Sequence, residues 1–117
     1  MKLTTNVKPQ ETAVSRNGKS WILTVNFHIV ELENSTDDED QKEWEYESAS
    51  VKCEKRPNDS YESMVAAIVR ARYSADAVEA ITQNYLADQE KGKMELDELQ
   101  EWRTEAKRMA KEAIGRE

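Results

Sequence analysis

The hydrophobic period of the chain changes once, in the segment 56–60 (Arg-Pro-Asn-Asp-Ser). Before this segment apolar residues alternate as in half-buried strands, and after it they recur every three or four residues as in amphipathic helices. A chain of 117 residues is long enough to bury one modest core. We therefore predict a single α+β domain over residues 1–117, with a sheet in 1–55 and helices in 58–117.

The strand half is predicted to be a three- to four-stranded antiparallel meander. Asn17 and Gly18 form the dipeptide that best tolerates a two-residue hairpin turn, which separates a strand in 10–15 from one in 19–32. A third strand is expected from about Lys42 to Lys55. Residues 2–8 alternate weakly and predict an edge strand.

The side chains of the predicted strands divide into two faces. In the second strand the core-facing set is Trp21, Leu23, Val25, Phe27 and Ile29. In the third strand Trp44 and Tyr46 fall on one face, whereas Val51 and Cys53 fall on the other. One face cannot bury both sets in a regular strand, so we predict a β-bulge near Ser48.

Three helices are predicted to pack on one face of the sheet. The first begins at about Ser60, a favourable N-cap, and has the apolar stripe Tyr61, Met64, Val65, Ile68 and Ala71 or Arg72. Ser74 is predicted to cap a second helix with the inward residues Ala77, Val78, Ile81, Tyr85 and Leu86. A break at 88–93, with Gly92 as a left-handed cap, separates it from a third helix over about 95–114.

The third helix contains a stripe that has two interpretations. Its members are Leu99, Trp102, Ala106, Met109 and Ala113. Trp102 and Met109 either pack in the core or form an exposed surface for a second copy or a partner protein. Both are therefore candidate protein-contact residues.

Charge is concentrated in one segment. Residues 31–47 contain nine acidic residues and one basic residue, whereas the whole chain has a net charge of −7. We predict a mobile acidic hairpin loop at 33–41, with the candidate protein-contact residues Asp37, Asp38, Glu39 and Asp40. This charge disfavours nucleic acid and membrane phosphates. Arg70 and Arg72 form a basic pair beside Tyr73, which is weak support for nucleic-acid binding. Both arginines are candidate protein-contact residues.

The chain has few residues for catalysis or metal binding. His28 and Cys53 are the single histidine and cysteine, too few for a zinc site, and pairing them as base and nucleophile would need an orienting third group. The acidic segment lacks the central glycine of a calcium-binding EF-hand loop. We predict no catalytic, cofactor or metal site, and no enzyme activity. No run is long enough to span a membrane and no secretory signal is evident, so we expect a cytoplasmic location.

The second half of the chain contains three runs that resemble a known class of proteins. They are IVRARYSAD at 68–76, EAITQNYL at 79–86 and LQEWRTEAK at 99–107. They resemble the C-terminal region of small proteins encoded by bacteriophages and prophages of gut bacteria, including tail-fibre-associated and tail-assembly proteins. The resemblance implies a non-enzymatic structural or assembly module that contacts a phage structural protein or itself, in the host cytoplasm or in the virion. It implies no catalytic residue.

The acidic segment supports an alternative function. A small acidic regulator or inhibitor can imitate nucleic acid and bind a basic groove on a host protein. Such a protein would depend on the carboxylates at 37–40.

Overall fold

The computed structural model describes residues 2–32 and 43–115, so the predicted acidic loop lies outside the described residues. The strands are β1 (Lys2–Thr5), β2 (Thr12–Asn17), β3 (Ser20–Leu32) and β4 (Glu43–Cys53). After a 3₁₀ turn at Pro57–Asp59 come the helices α1 (Tyr61–Arg72), α2 (Ala75–Ala87) and α3 (Gln89–Gly115). The predicted α+β class, with an antiparallel sheet followed by three helices, is confirmed.

The four strands form one antiparallel sheet in the order β1-β4-β3-β2. A hairpin turn joins β2 and β3 as predicted, but its two loop residues are Gly18 and Lys19, because Asn17 still pairs with Ser20. Gly18 has the positive φ of 62° that such a turn requires. β1 is the predicted edge strand, but it is short. It pairs with β4 only from Trp44 to Glu47, whereas β3 pairs with β4 as far as Cys53.

One face of the sheet forms the floor of the core. Leu23 and Val25 are fully buried, as the alternation in β3 predicts. Their direct neighbours on β4 are Val51 and Ala49, so this face of β4 also lies toward the helices. The opposite face carries polar pairs, including Thr24 and Ser50.

The predicted bulge near Ser48 is wrong in position. Ser48 pairs regularly with Asn26, and the irregularity lies in β3 between Phe27 and Val30. The two residues in between face a single residue of β4, and the first of them, His28, has a φ of 51°. This is the left-handed conformation that the first residue of a bulge can adopt and that glycine usually occupies.

The first helix packs on β3 and β4. The Ser60 hydroxyl accepts a hydrogen bond from the amide of Ser63 at 3.1 Å, which caps α1 as predicted. Met64 and Ile68 are fully buried. Tyr61 was predicted to join this stripe but is 37% exposed, because it is the first residue of the helix.

The second helix packs mainly against α3. Its predicted cap is present, since the Ser74 hydroxyl accepts from the amide of Ala77 at 3.1 Å. α2 has no fully buried residue, and Leu86 is 71% exposed, so the prediction that Leu86 faces inward is wrong. The reason is that α2 packs mainly on α3, so only the side of α2 that faces α3 is covered, and Leu86 lies outside that side.

The predicted break between the second and third helices is present, but it is confined to Asp88, and the left-handed cap predicted at Gly92 is wrong. α3 begins at Gln89, because the Asp88 carboxylate accepts hydrogen bonds from the amides of Glu90 and Lys91 at 3.2 and 3.3 Å and caps the helix at once. Gly92 is therefore inside α3. A Cβ at this position would lie 2.5 Å from the Cα of Tyr85, so glycine is needed for the close approach of α2 and α3.

The stripe of α3 belongs to the core. Trp102 and Met109 are only 4% and 3% exposed, so the interpretation of these residues as an exposed contact surface is wrong. The indole nitrogen of Trp102 donates to the carbonyl oxygen of Ile68 at 3.2 Å and ties α3 to α1. None of the described helices is both long enough and apolar enough to cross a membrane.

Replacing Gly92 by alanine should destabilise the fold. Although alanine favours a helix by about 1 kcal/mol, the contact with the backbone of Tyr85 forces the helices apart, and we expect a net loss of about 1–3 kcal/mol. Urea denaturation measures this loss. Gly115→Ala is the matched control, because no described atom lies within 4 Å of a Cβ there. Equal stability of G92A and G115A would contradict the close approach.

Candidate functional site

The structure separates the candidate contact residues predicted from sequence. Asp37, Asp38, Glu39 and Asp40 lie outside the described residues. Arg70 is exposed on α1, whereas Arg72, two residues later, is half-buried and turns into a cleft. The two arginines therefore do not form a common basic patch. Trp102 and Met109 line the inner wall of the same cleft.

This cleft has a volume of about 470 Å³ and lies where the bulged part of β3 meets the end of α1 and the middle of α3. Arg72 is one of its lining residues. The Cζ atom of Arg72 is 4.4 Å from the ring centroid of Phe27, 4.7 Å from that of Trp102 and 5.5 Å from that of Tyr73. Phe27 and Trp102 meet edge to face at 5.4 Å. The guanidinium is thus held by cation–π contacts.

The outer wall of the cleft is acidic. Glu98, Glu101 and Glu105 follow one another at intervals of three and four residues and share one side of α3. Glu105 is paired with Arg108 at 2.6 Å. Within 2–32 and 43–115, neither Glu98 nor Glu101 forms an ion pair, and Arg72 forms neither a hydrogen bond nor an ion pair.

Arg108 closes one end of the cleft. Its guanidinium binds Glu11, which precedes β2, as well as Glu105 and Glu112 on its own helix. The hydrogen bonds from Arg108 lower the pKa of the Glu11 carboxyl below its ordinary value of 4.5. This network fixes the start of β2 to α3, across 97 residues of chain.

His28 forms the other end of the cleft. Its Nδ1 is hydrogen-bonded to the Glu47 carboxylate, and this bond lowers the pKa of Glu47. Cys53, the other residue considered for chemistry, pairs with Trp21 at the far end of β3. At about 3.3 Å per residue the two side chains are roughly 20 Å apart, so they do not form a nucleophile–base pair. Among the described side chains, no group of three His, Cys, Asp or Glu is arranged to hold a metal ion.

The free edge of β4 is a second candidate site. No described strand pairs with the β1 side of Ser48–Cys53, so its outward N–H and C=O groups have no strand partner there. Ser48, Ser50 and Lys52 are exposed on the polar face of the sheet. On the other face, α1 packs over β4, and its half-buried Val65 and Val69 lie one turn apart.

The sequence contained only part of this information. The short weak alternation before Pro9 predicts an edge strand, but not how much of β4 it leaves uncovered. The aromatic contacts of Arg72 join residues from β3, α1 and α3, and no local pattern connects them.

Compared with known proteins, the chain matches no family model, no curated protein and no solved structure.

The Glu11–Arg108 pair should make stability depend on pH. Because the folded pKa of Glu11 is lowered, its contribution is complete above pH 4.5 and is lost as the pH falls through the folded pKa. Glu11→Gln should therefore be less stable than the original chain at pH 7, and this difference should shrink below pH 4.5. Urea denaturation from pH 7 to pH 3 tests this, with the exposed Glu54→Gln as the control. A difference that stays constant with pH would count against the pair.

Proposed function

We propose that the chain is a non-enzymatic structural or assembly module of a phage or prophage that acts by protein–protein contact. We further propose that its principal contact is with a second copy of itself along the free edge of β4. The observation that carries this proposal is the stretch Ser48–Cys53, which lacks a strand partner on one side among the described residues. Strand addition would satisfy its backbone groups.

A second copy suits this edge because the stretch can pair with itself. A two-fold axis perpendicular to the sheet joins two β4 strands antiparallel and keeps both sets of helices on one side. Residues that face each other across the axis must then have side chains on the same face. This condition is met only when the axis passes between the two copies of one residue, and we describe such a register as centred on that residue.

The position of β1 selects among these registers. Lys2 already occupies the place opposite Glu47. A register centred on Ser50 would put Cys53 of the second copy in that place. A register centred on Val51 puts Lys55 there instead, and Lys55 lies beyond the end of β4 at Cys53, so the two strands do not overlap. The Val51 register pairs Val51 with Val51, Ala49 with Cys53, and Ser50 with Lys52.

This arrangement also uses the flank of α1. Both α1 helices lie on the same side of the joined sheet, and each has Val65 and Val69 half-buried beside β4. When the two sheets join across the two-fold axis, more of the surface of these valines is removed from water, which favours association.

The phage assignment rests on sequence resemblance. The three runs in the last sixty or so residues form the end of α1, most of α2 and the middle of α3. By this resemblance we place the protein in the host cytoplasm or in the virion. Pull-down from induced cells followed by mass spectrometry tests the assignment, and recovery of no phage component would count against it.

Charge substitutions at Ser50 test the dimer and its register together. The two-fold pairs Ser50 with Lys52 twice, so Ser50→Glu adds two opposite-charge pairs and Ser50→Lys adds two like-charge pairs. At about 0.2–1 kcal/mol per pair, S50E should lower the dimer Kd by roughly 2- to 30-fold and S50K should raise it by a similar factor. Sedimentation equilibrium at low salt measures both constants.

The matched controls lie on the other edge of the sheet. Ser15 of β2 is also an exposed strand serine, and neither Ser15→Glu nor Ser15→Lys should change the Kd. A monomer at all concentrations refutes the dimer. A dimer in which S50E and S50K shift the Kd in the same direction refutes the Val51 register.

The acidic regulator remains a competing proposal, supported by the nine acidic residues in 31–47. Replacing Asp37, Asp38, Glu39 and Asp40 by Asn and Ser distinguishes the two. The assembly proposal predicts an unchanged dimer Kd and unchanged recovery of partners. The regulator proposal instead predicts strongly salt-dependent binding to a basic host protein, which this quadruple variant abolishes.

A further inference from the structure

We propose that the cleft beside the β3 bulge binds a small dipolar ligand of the amino-acid class. Arg72 would hold its carboxylate, and Glu98 and Glu101 would hold its ammonium group. This site goes beyond the protein contact proposed above and shares no residue with the free edge of β4.

The carboxylate position follows from the setting of Arg72. Aromatic rings of Phe27, Trp102 and Tyr73 surround the guanidinium at 4.4 to 5.5 Å. Its N–H donors, however, have no hydrogen-bond acceptor among the described residues. A planar guanidinium that is fixed in place and has free donors is suited to bind a carboxylate through two parallel hydrogen bonds.

The ammonium position follows from the carboxylates that line the same cleft. Glu98 and Glu101 line the cleft one helical turn apart, and neither is paired with a cation in the described part of the chain. A simple anion at Arg72 would be repelled by these carboxylates, and a simple cation at the carboxylates would be repelled by Arg72. A ligand that carries both charges avoids both penalties.

The remaining surface accepts an apolar side chain. The volume of about 470 Å³ exceeds that of one amino acid, and Tyr73, Trp102 and Ile29 contribute apolar lining. Because Tyr73 and Trp102 offer aromatic surface beside Arg72, L-phenylalanine is a suitable probe.

Three molecules of the same shape test the charge requirement. L-Phenylalanine carries both groups, 2-phenylethylamine lacks the carboxylate, and 3-phenylpropanoate lacks the ammonium. Titration into ¹⁵N-labelled full-length chain, followed by the Trp102 indole N–H and the Arg72 amide, gives each Kd. We expect phenylalanine to bind at least about tenfold more tightly than either analogue. A smaller difference for either one, or no shift up to about 20 mM phenylalanine, would overturn the proposal.

Two variants test which residues of the protein bind the carboxylate and the ammonium of the ligand. Arg72→Lys keeps the charge but loses the planar fork, so phenylalanine should bind about as weakly as 2-phenylethylamine binds the original chain. The double variant Glu98→Gln and Glu101→Gln should reduce its affinity to that of 3-phenylpropanoate. The double variant alters only exposed side chains, so it keeps the test valid if R72K fails to fold. Unchanged affinity in a folded variant would refute the role of the residue replaced.

Discussion

The buried indole of Trp102 is the contact on which the arrangement of the layers depends. Its N–H donates to the carbonyl oxygen of Ile68, and its ring meets the edge of Phe27. One side chain therefore joins α3, α1 and the sheet. A buried indole without an acceptor would leave a donor unsatisfied, at a cost of about 1–3 kcal/mol. The hydrogen bond thus ties α3 to α1, and α2 in turn packs on α3.

The bulge in β3 lines the cleft at the end of this core. His28 adopts a φ of 51°, which costs a residue with a Cβ about 1–2 kcal/mol, and its hydrogen bond to Glu47 helps to hold it there. The extra residue interrupts the alternation just after Phe27. The strand then stops covering the core, and Arg72 fills the opening with a guanidinium stacked on aromatic rings. Strained backbone of this kind is often found at functional sites.

The two proposed surfaces depend on different physical properties. At the free edge of β4 the attraction comes from unpaired backbone groups and the apolar flank of α1. A charge introduced at position 50, opposite Lys52, only raises or lowers the dimer Kd. In the cleft, the selectivity that we propose comes from opposite charges, those of Arg72 and of the α3 carboxylates. The chain as a whole is acidic, with a net charge of −7, yet Arg72 and Arg108 bring positive charge to the cleft.

The local patterns of the sequence determined the elements: the period of two in β3, the glycine of the β2–β3 turn and the serine caps of α1 and α2 all require only neighbouring residues. Contacts between distant residues decided the rest. Glycine at position 92 predicts a helix end, but its role is to allow the close approach of Tyr85. The bulge lies in β3 and not near Ser48, because the pairing of β3 with β4 determines where an extra residue fits. The same is true of the cleft, because Phe27, Arg72 and Trp102 are far apart in the chain and only packing brings them together.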